Sequence, residues 1–435
     1  MEGIKFCFLF FIFFGEMVSM MEAHIAHYDE FWLKQAEAAK NAAQSEYHPR
    51  PVEVINQLNH EVRLSVKGRN STRRPLNKYN GPCTATNPID QCWRCDRDWA
   101  KNRQKLADCA RGFGRNATGG KGGKIYVVTE STDEDMVNPK PGTLRHAVIQ
   151  PEPLWIIFEH DMTIKLSQEL IMTGDKTIDG RGAQVHIAGG AGLTLQFVKN
   201  IIIHSIKVHD IKSASGGMIR DSTSHFGMRT QSDGDGISLL GATNVWIDHV
   251  SMWNCQDGLI DLVECCTAVT ISNCHFTHHN DVLLFGASDT YTQDELMQVT
   301  IVFTHFGKGL VQRMPRMRFG FAHILNNDYT HWLMYPIDGS SHPTILCQGN
   351  RFVAPADRNA KEVTKRTESP ESEWKKWVWK SDGDLLSNGA FFIPSGDPGN
   401  QFPTTEEIIS PQPGSSVSSL TKFAGYLNCV ENSPC

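Results

Sequence analysis

Short hydrophobic runs, rich in β-branched residues, recur at nearly constant spacing from residue 201 onward. Five of them are IIIHSIKV from Ile201, VWIDHVSM from Val245, VTISNCHF from Val269, VTIVFTHF from Val299 and AHILNNDY from Ala322. The last four runs begin 24, 30 and 23 residues apart. A degenerate repeat of this length, with each unit a strand followed by turns, predicts a parallel β-helix whose successive coils stack on one another.

Two other all-β architectures also produce many short strands. A β-propeller needs about 40 to 50 residues for each blade, which is roughly twice the spacing found here. A β-sandwich is the weaker alternative, since it too consists of many short strands separated by turns. The spacing therefore favours an all-β solenoid with long surface loops.

The N-terminus carries a different pattern. Lys5 is followed by an apolar run from Phe6 to Phe14 and then by small and polar residues, which is typical of a secretory signal peptide covering residues 1–22. The alternative, a membrane anchor, is disfavoured because the run is too short to span a bilayer and no second run of that kind follows. An Ala-rich segment from about Asp29 to Tyr47 predicts a helix that stops before Pro49.

These patterns divide the chain into three parts. After the signal peptide, residues 23–80 form an N-terminal helical extension that ends in a polar, basic connector, KGRNSTRRPLNKYNGP. Residues 81–435 form the β-helix domain. The tail of this domain from Asp382 to Ser419 is rich in Pro, Gly and Ser, which predicts a long loop laid over the solenoid.

Composition and charge exclude some partners. The chain has 435 residues, of which 40% are hydrophobic and 21% are charged, as in an ordinary globular protein. The formal net charge is -6 and the isoelectric point is about 6.3. General nucleic-acid binders are usually basic, so we expect no nucleic-acid partner. We also expect no membrane partner and a monomeric protein.

The cysteines agree with an oxidising compartment. One of the 12 lies in the signal peptide, and the others include a cluster at Cys83, Cys92, Cys95 and Cys109 and a terminal pair, Cys429 and Cys435. Cys92-x-x-Cys95 could be half of a zinc site or a redox motif, but no second motif completes it. Disulfides are therefore favoured, with at least one free thiol left over. The sequons at Asn70 and Asn116 would be glycosylation acceptors.

Two carboxylates keep the period of the repeat. Asp233 and Asp257 each precede a hydrophobic run by 12 residues, and Asp235 and Asp261 lie close to them. On neighbouring coils, about 4.8 Å apart, such anions would repel each other unless a cation lay between them. Oxygen ligands with loose geometry suit calcium. The alternative is that the Asp-Gly pairs are turn residues, and an EF-hand is excluded because its loop spacing is absent.

Three arginines lie within six residues. They are Arg313, Arg316 and Arg318 in the stretch GLVQRMPRMRFG. Arg313 precedes the run at Ala322 by nine residues, which places it near the same edge as Asp257, two coils further on. Arginine pairs with carboxylates through two parallel hydrogen bonds, so this edge is suited to a polyanion with regularly spaced carboxylates. Internal ion pairs are the alternative, above all for Arg316.

Four motifs in order resemble a known family. They are WIDH from Trp246, DGLID from Asp257, RMPRMR from Arg313 and NNDYTHW from Asn326, and the pattern V-x-R-x-P-x-x-R is complete from Val311 onward. Together they resemble the plant pectate lyases of polysaccharide lyase family one. The resemblance covers roughly Gly81 to Cys435, and the Ala-rich segment before it is similar to the N-terminal region of the same plant proteins.

The resemblance implies a fold and a reaction. The fold is a right-handed parallel β-helix, and the reaction is a calcium-dependent β-elimination on de-esterified homogalacturonan (polygalacturonate) in the plant cell wall. By motif position, Arg313 takes the place of the catalytic base, and Arg318 that of a substrate-carboxylate contact. We assign Arg316 to substrate as well. The calcium-ligand positions are Asp233, Asp257 and Asp261, with Asp235 as a further ligand when substrate is bound.

Two positions depart from the family pattern. Plant relatives commonly carry His where this chain has Ala287, and bacterial members place a substrate-binding Lys near Asp281. The calcium and base positions are intact, so we expect activity. The rival functions are a calcium-independent pectin lyase, a hydrolytic polygalacturonase, and a non-catalytic pectate-binding protein. The polygalacturonase motifs NTD and GHG are both missing from the chain.

Overall fold

Three long parallel β-sheets form the body of the protein, and each coil of the chain contributes one short strand to each sheet in turn. The computed structural model describes residues 29–70, 83–366, 368–396 and 408–435. The predicted parallel β-helix is confirmed. Each unit of the repeat holds three strands, however, rather than the single strand expected from the sequence. The predicted signal peptide lies outside the described residues.

The sheets are named here by position. The back sheet has ten strands: Lys124–Val128, Leu154–Phe158, Lys176–Asp179, Lys199–His204, Thr243–Asp248, Thr267–Ser272, Gln298–Val302, Phe321–Leu325, Thr344–Gln348 and Trp379–Asp382. The side sheet has nine: Met162–Ile164, Val185–Ala188, Lys207–His209, Ser251–Trp253, His275–Thr277, His305–Phe306, Asp328–Tyr329, Arg351–Val353 and Leu385–Ser387.

The third sheet is called the cleft sheet. Its eight strands are Leu170–Ile171, Leu193–Gln196, Ile237–Leu240, Ile260–Val263, Leu283–Phe285, Arg316–Arg318, Ile337–Ser340 and Thr364–Lys365. Two smaller pairs lie beside it. One is an antiparallel hairpin of Gly217–Arg220 and Phe226–Arg229, and the other is a parallel pair of His279–Asp281 and Leu310–Gln312.

The register follows the spacing of the hydrophobic runs. Val245 pairs with Val269, Val269 with Val299, and Val299 with Ala322. Two residues further along each strand, a column of isoleucines crosses the back sheet: Ile203, Ile247, Ile271, Ile301 and Ile324. All five are fully buried inside the solenoid, and each buried side chain of this size contributes about 1.5–3 kcal/mol.

Two helices precede the solenoid and lie across its back sheet. The first, Glu30–Glu46, begins at Asp29, whose side chain accepts a hydrogen bond from the Phe31 N–H. The predicted helix is therefore confirmed. The second, Pro51–Asn70, was not predicted and includes the start of the expected connector. Its Val54 and Ile55 are buried against side chains of the back sheet and its flanking loops.

Short helices and disulfides complete the fold. The short α-helices are Pro88–Trp93, Leu144–Val148, Glu371–Trp374 and Val417–Leu420, and the 3₁₀ segments are Arg103–Cys109, Phe113–Asn116, Thr292–Leu296, Arg358–Ala360 and Gly414–Ser416. The predicted disulfides are present as Cys83–Cys95, Cys92–Cys109 and Cys429–Cys435. Five further cysteines, Cys255, Cys265, Cys266, Cys274 and Cys347, are free and buried.

The C-terminal tail differs from its predicted start. The solenoid continues beyond Asp382, because Leu385–Ser387 still pairs with a strand of the side sheet. The described end of the tail packs on the back of the solenoid, where the Gly425 carbonyl lies 2.9 Å from His249 Nδ1. No helix among the described residues is long and apolar enough to cross a membrane.

Candidate active site

An open cleft runs over the outer face of the cleft sheet and encloses about 190 Å³. The strand register determines which side chains form the floor of this cleft, because side chains at paired positions point to the same face of a sheet. One column on this face consists of Thr194, Ser238, Asp261, Leu284 and Arg316. The four aspartates singled out in the sequence all line the cleft. The structure therefore brings the predicted acidic residues together on one surface.

The aspartates come from two neighbouring coils. Asp233 and Asp235 precede the strand Ile237–Leu240, and Asp257 and Asp261 flank the start of Ile260–Val263. Asp235 Oδ1 accepts a hydrogen bond of 2.8 Å from the Gly258 N–H, and Asp235 Oδ2 accepts one of 2.8 Å from Ser238 Oγ. The acidic positions are thus fixed by backbone contacts between coils.

The predicted equivalence of Asp233 and Asp257 is off by one residue. Ile237 pairs with Ile260, and the Asp257 N–H donates to the carbonyl of Gly234 at 3.2 Å. The cause is coil length, since the stretch from Ile260 to Val269 is one residue longer than that from Ile237 to Val245. Asp257 therefore lies beside Gly234 rather than beside Asp233.

The carboxylates repel one another. Burial and the nearby Asp257 raise the pKa of Asp235 to about 7. Burial, together with Asp235 and Asp257, raises the pKa of Asp261 well above its usual range. Burial and the Asp281 carboxylate raise the pKa of Asp257. Charged forms of these groups are disfavoured until a cation joins them.

The residues present fit a hard cation such as calcium. Within the ranges that the structure describes, no three His, Cys, Asp or Glu side chains already converge as a metal-binding group. The donors lining the cleft are nevertheless carboxylate oxygens, which calcium prefers, and the buried Asp261 Oδ1 has no hydrogen-bond partner among the described residues. A Cβ at Gly258 would lie 2.1 Å from this atom, so glycine leaves the carboxylate room.

Arg313 stands beside the acidic cluster. It follows the strand Leu310–Gln312 with a left-handed φ of 61°, and its side chain is about one-third exposed. Arg313 Nε lies 3.1 Å from Asp281 Oδ1. Its positive charge acts to lower the pKa values of both Asp257 and Asp261. The expected proximity of Arg313 to the acidic edge is therefore confirmed.

Arg316 and Arg318 have different surroundings. Arg316 is buried, with Nη1 2.5 Å from Asp338 Oδ2 and Nη2 2.5 Å from Glu368 Oε2. This is the internal ion pair that the sequence left open as the alternative to a substrate contact. Arg318 is more accessible, donates to the Gly286 carbonyl at 2.9 Å and lies 3.2 Å from Asp289. Of these three arginines, Arg313 and Arg318 are therefore the ones accessible enough to reach a ligand.

Asp281 links Arg313 to a polar chain that the sequence did not reveal. Gln312 Nε2 donates to Asp281 Oδ1 at 2.9 Å, and the Tyr335 hydroxyl donates to Gln312 Oε1 at 2.7 Å. The sequence marks Asp281 only as a position near which bacterial family members carry a lysine. The contact between Asp281 and Arg313 leaves no local sequence signal, because 32 residues separate the two.

The other departure, Ala287, also lies in the cleft. Its N–H donates to Asp294 Oδ2 at 3.1 Å, and Asp294 Oδ1 accepts from the Cys265 N–H at 2.7 Å. Burial raises the pKa of Asp294 to about 6. Asp294 therefore ties two loops together beneath this part of the cleft, a role that sequence reasoning missed.

The WIDH motif lies elsewhere. Trp246 is fully buried on the back sheet and donates to Ser272 Oγ at 2.8 Å, while His249 Nε2 lies 2.8 Å from Asp90. This motif attaches the Pro88–Trp93 helix and the C-terminal tail to the solenoid. It does not line the cleft.

Comparison with known families gives two matches. Residues 24–76 match the family described as "Pectate lyase, N terminus", and residues 107–373 match the family described as "Pectate lyase". The second match covers more than half of the chain. The chain belongs to the pectate lyase family. Members of this family are lyases, and the enzyme class predicted from the sequence is confirmed.

Individual relatives agree with the family match. The chain is 57% identical to a "Pectate lyase" of Lilium longiflorum over 437 residues, covering 100% of both chains. It is 52% identical to "Probable pectate lyase 7" of Arabidopsis thaliana over 460 residues, covering 97% of both. The family predicted from the motifs is thus confirmed along nearly the whole chain.

Solved structures share the fold. The crystal structure of jun a 1, the major allergen from cedar pollen, matches with a TM-score of 0.75 and 46% identity, covering 78% of this chain and 99% of that one. A pectate lyase variant from Xanthomonas campestris matches with a TM-score of 0.52 at 17% identity, covering 73% and 98%. The second similarity concerns the fold alone.

Proposed function

We propose that the protein is a secreted, calcium-dependent pectate lyase that cleaves de-esterified homogalacturonan by β-elimination and releases unsaturated oligogalacturonates. The observation that carries this proposal is that four aspartates line a single open cleft and that Arg313 lies close enough to act on their charges. The aspartates alone would repel an anionic polymer, so a bound cation is needed between the aspartates and the carboxylates of the polymer.

Asp233, Asp235, Asp257 and Asp261 would hold the calcium ion. Bound there, it would neutralise a substrate carboxylate and favour the negative charge that develops beside that group. The protein's own contribution is to keep these oxygens close together before binding. Backbone contacts between neighbouring coils hold Asp235 and Asp257 in place, so little ordering of side chains remains to be done when the ion enters.

Arg313 is assigned as the general base that removes the proton alpha to the uronate carboxylate. The support is its position in the V-x-R-x-P-x-x-R pattern and its location beside Asp257 and Asp261. Arginine is a demanding base, because its pKa in proteins exceeds about 12. A small neutral fraction would carry the reaction, which implies an activity that rises into the alkaline range.

Arg318 is assigned to the carboxylate of a bound sugar. Its side chain is 17% exposed at the edge of the cleft sheet, and burial lowers its pKa. Arg316, by contrast, supports the site from within. Its two carboxylate partners raise its pKa although burial acts to lower it, and we assign it to the internal ion pair.

Changing Asp281 to asparagine is expected to lower kcat severalfold. Asp281 Oδ1 lies 3.1 Å from Arg313 Nε, so this ion pair positions the guanidinium beside the aspartates, and its loss leaves the side chain less well placed. Steady-state kinetics on polygalacturonate with saturating calcium check this result. Asp289→Asn, which removes a partner of Arg318 instead, is the control and should act mainly on KM. An unchanged kcat in Asp281→Asn would contradict the role given to this contact.

Secretion to the plant cell wall is part of the proposal. It is supported by the N-terminal apolar run, by the three disulfides and by the exposed sequon at Asn116. The remaining thiols suit an oxidising compartment, because burial raises the pKa of Cys255 to about 12 and that of Cys265 to about 11, which leaves them unreactive.

A lyase assay with and without chelator tests the proposed function. We expect polygalacturonate to yield products that absorb ultraviolet light through a new double bond, and we expect chelator to abolish this signal and added calcium to restore it. A methyl-esterified substrate is the control, since a pectin lyase would favour it without calcium. Reducing ends without ultraviolet absorbance would indicate a hydrolase, and binding without product would indicate a non-catalytic protein.

A further inference from the structure

Arg229 lines the cleft at the end near the strand Leu193–Gln196, whereas Arg318 belongs to a strand further along the cleft sheet, beyond the aspartates. Arg229 ends the hairpin strand Phe226–Arg229 and is only about 5% exposed. Its Nη1 donates to Gln196 Oε1 at 2.6 Å. Gln196 belongs to the strand Leu193–Gln196, which is the second strand of the cleft sheet. Neither the motifs nor the mechanism above use this arginine.

The guanidinium of Arg229 is poorly satisfied for a buried cation. Its nearest carboxylate oxygen, Glu169 Oε2, is 3.6 Å from Nη2, and its Nε has no hydrogen-bond partner among the described residues. Other buried arginines are paired far more closely. Arg145 contacts both oxygens of Asp133 at 2.6 and 2.8 Å, and Arg181 contacts both oxygens of Asp179 at 2.8 and 2.7 Å.

The difference has a physical meaning. A buried donor without a partner is costly, and an arginine can donate five hydrogen bonds, two of them in parallel to a single carboxylate. At Arg229 that geometry is incomplete, because Nη1 bonds Gln196 while Nη2 is 3.6 Å from Glu169, whose side chain also lines the cleft. A carboxylate lying in the cleft would therefore complete the surroundings of this cation, as Asp133 completes those of Arg145.

The register gives the distance between the two ends. Gln196 pairs with Leu240 and Leu240 with Val263. Gly286 continues this column on the next strand and Arg318 on the one after it, because a Cβ at Gly286 would lie 2.7 Å from Arg318 Cβ. Gln196 and Arg318 are thus four strand spacings apart in one column, or about 19 Å. This length corresponds to several sugar units of a polyuronate, and the aspartates lie between the two ends.

The N-terminal helix supports Arg229 from behind. Trp32 is 4% exposed, packs with Ile171 and Ile219, and its ring lies 5.9 Å from the Arg229 guanidinium. The preceding residue, Phe31, stacks on His225 of the same hairpin at 4.1 Å. An aromatic face near a guanidinium stabilises the cation. The first helix therefore holds the hairpin that carries Arg229 against the cleft.

We propose that Arg229 binds a carboxylate of the polygalacturonate chain at the end of the cleft remote from Arg318, and that Trp32 of the N-terminal helix positions it. The N-terminal extension is in this way part of the substrate-binding site. This inference rests on the function proposed above and adds to it a second anchoring point for the polymer.

Binding of short and long oligosaccharides tests the inference. Trigalacturonate is too short to reach both ends of the cleft, whereas hexagalacturonate can contact both. Calorimetry in the slow Arg313→Lys background, at saturating calcium, measures binding of each, and KM and kcat of otherwise wild-type variants provide a second readout. Arg229→Gln should weaken hexagalacturonate binding about ten- to a hundredfold, as expected for a hydrogen-bonded ion pair, and should leave trigalacturonate binding unchanged.

Matched variants exclude a general structural effect. Arg220→Gln removes an arginine from the same hairpin that does not line the cleft, and it should bind both ligands normally. Arg229→Lys should recover part of the lost affinity and serves as the second variant if Arg229→Gln has a lowered Tm. Trp32→Ala should shift hexagalacturonate binding in the same direction as Arg229→Gln, whereas the exposed Leu33→Ala should not.

The outcomes separate the two proposals. Failure of the wild-type protein to bind or cleave either ligand would overturn the proposed function and this inference with it. Normal binding of both ligands by Arg229→Gln, in an active enzyme, would overturn this inference alone. An equal loss for the short and the long ligand would also overturn it, because Arg229 would then act on the central site rather than at a remote one.

Discussion

Replacing Arg313 by lysine is expected to lower kcat by 10²- to 10⁴-fold or so, the usual effect of losing a general base. The substitution keeps a positive charge beside Asp281 but removes the planar guanidinium and moves the donor. Binding of polygalacturonate should change little, since a charge remains at the same place. Steady-state kinetics on polygalacturonate with saturating calcium, together with calorimetric binding, measure both quantities.

Arg318→Lys is the matched control for this experiment. It makes the same chemical change at a residue assigned to binding, so its defect should lie mainly in KM. If Arg313→Lys keeps a near-normal kcat while its binding weakens, Arg313 is a carboxylate contact and another group is the base. The pH profile gives an independent check, because kcat of the wild-type protein should still rise where a histidine base would have levelled off.

Changing Asp261 to asparagine is expected to abolish calcium-dependent activity and, in calcium-free buffer, to stabilise the fold. The first effect follows from removing a charged oxygen from the cation site. The second follows from the sign of the pKa shift. A carboxyl group whose pKa is raised on folding destabilises the protein increasingly as the pH rises from its ordinary value toward the raised one. For Asp261, that destabilisation is present at neutral pH.

Thermal denaturation at neutral pH measures the second effect. With chelator, Asp261→Asn should melt a few degrees above the wild type, and calcium should raise the Tm of the wild type but not that of the variant. Thr194→Ala, two strands away in the same column, is a control that leaves all four aspartates and their hydrogen bonds in place. A chelated wild type with full lyase activity would show that the aspartates are not a required calcium site.

The sequence predicts the solenoid well because its signal is local and repeated. The runs at Val245, Val269 and Val299 pair in the structure at the positions that their spacing indicates. The same spacing argument places Asp257 beside Asp233, and the structure places it beside Gly234, one residue away. Its strand belongs to another sheet of the same coil, and the turn between the two sheets has its own length. A repeat measured on one sheet does not fix the register of the next.

The charged residues show where sequence reasoning ends. Arg316 and Arg318 are indistinguishable by spacing, and only the structure reveals that Asp338 and Glu368 enclose the first of them. These partners lie 22 and 52 residues away in the chain. Glycines, strands and motifs are recognised locally, but the neutralisation of a buried cation depends on which distant carboxylate the fold brings to it.

The course of the N-terminal helices changes how the solenoid unfolds. In a stack of coils that contact only their neighbours, either end can open without the other. Here Trp32 packs near the early strand Leu170–Ile171, the backbone of His48 exchanges two hydrogen bonds of 2.8 Å with Gln298, and Asn59 donates to Gln348 at 2.9 Å. One continuous segment therefore contacts early, middle and late coils. Fraying at one end would cost contacts along the whole length, and we expect the stack to melt as a single cooperative unit.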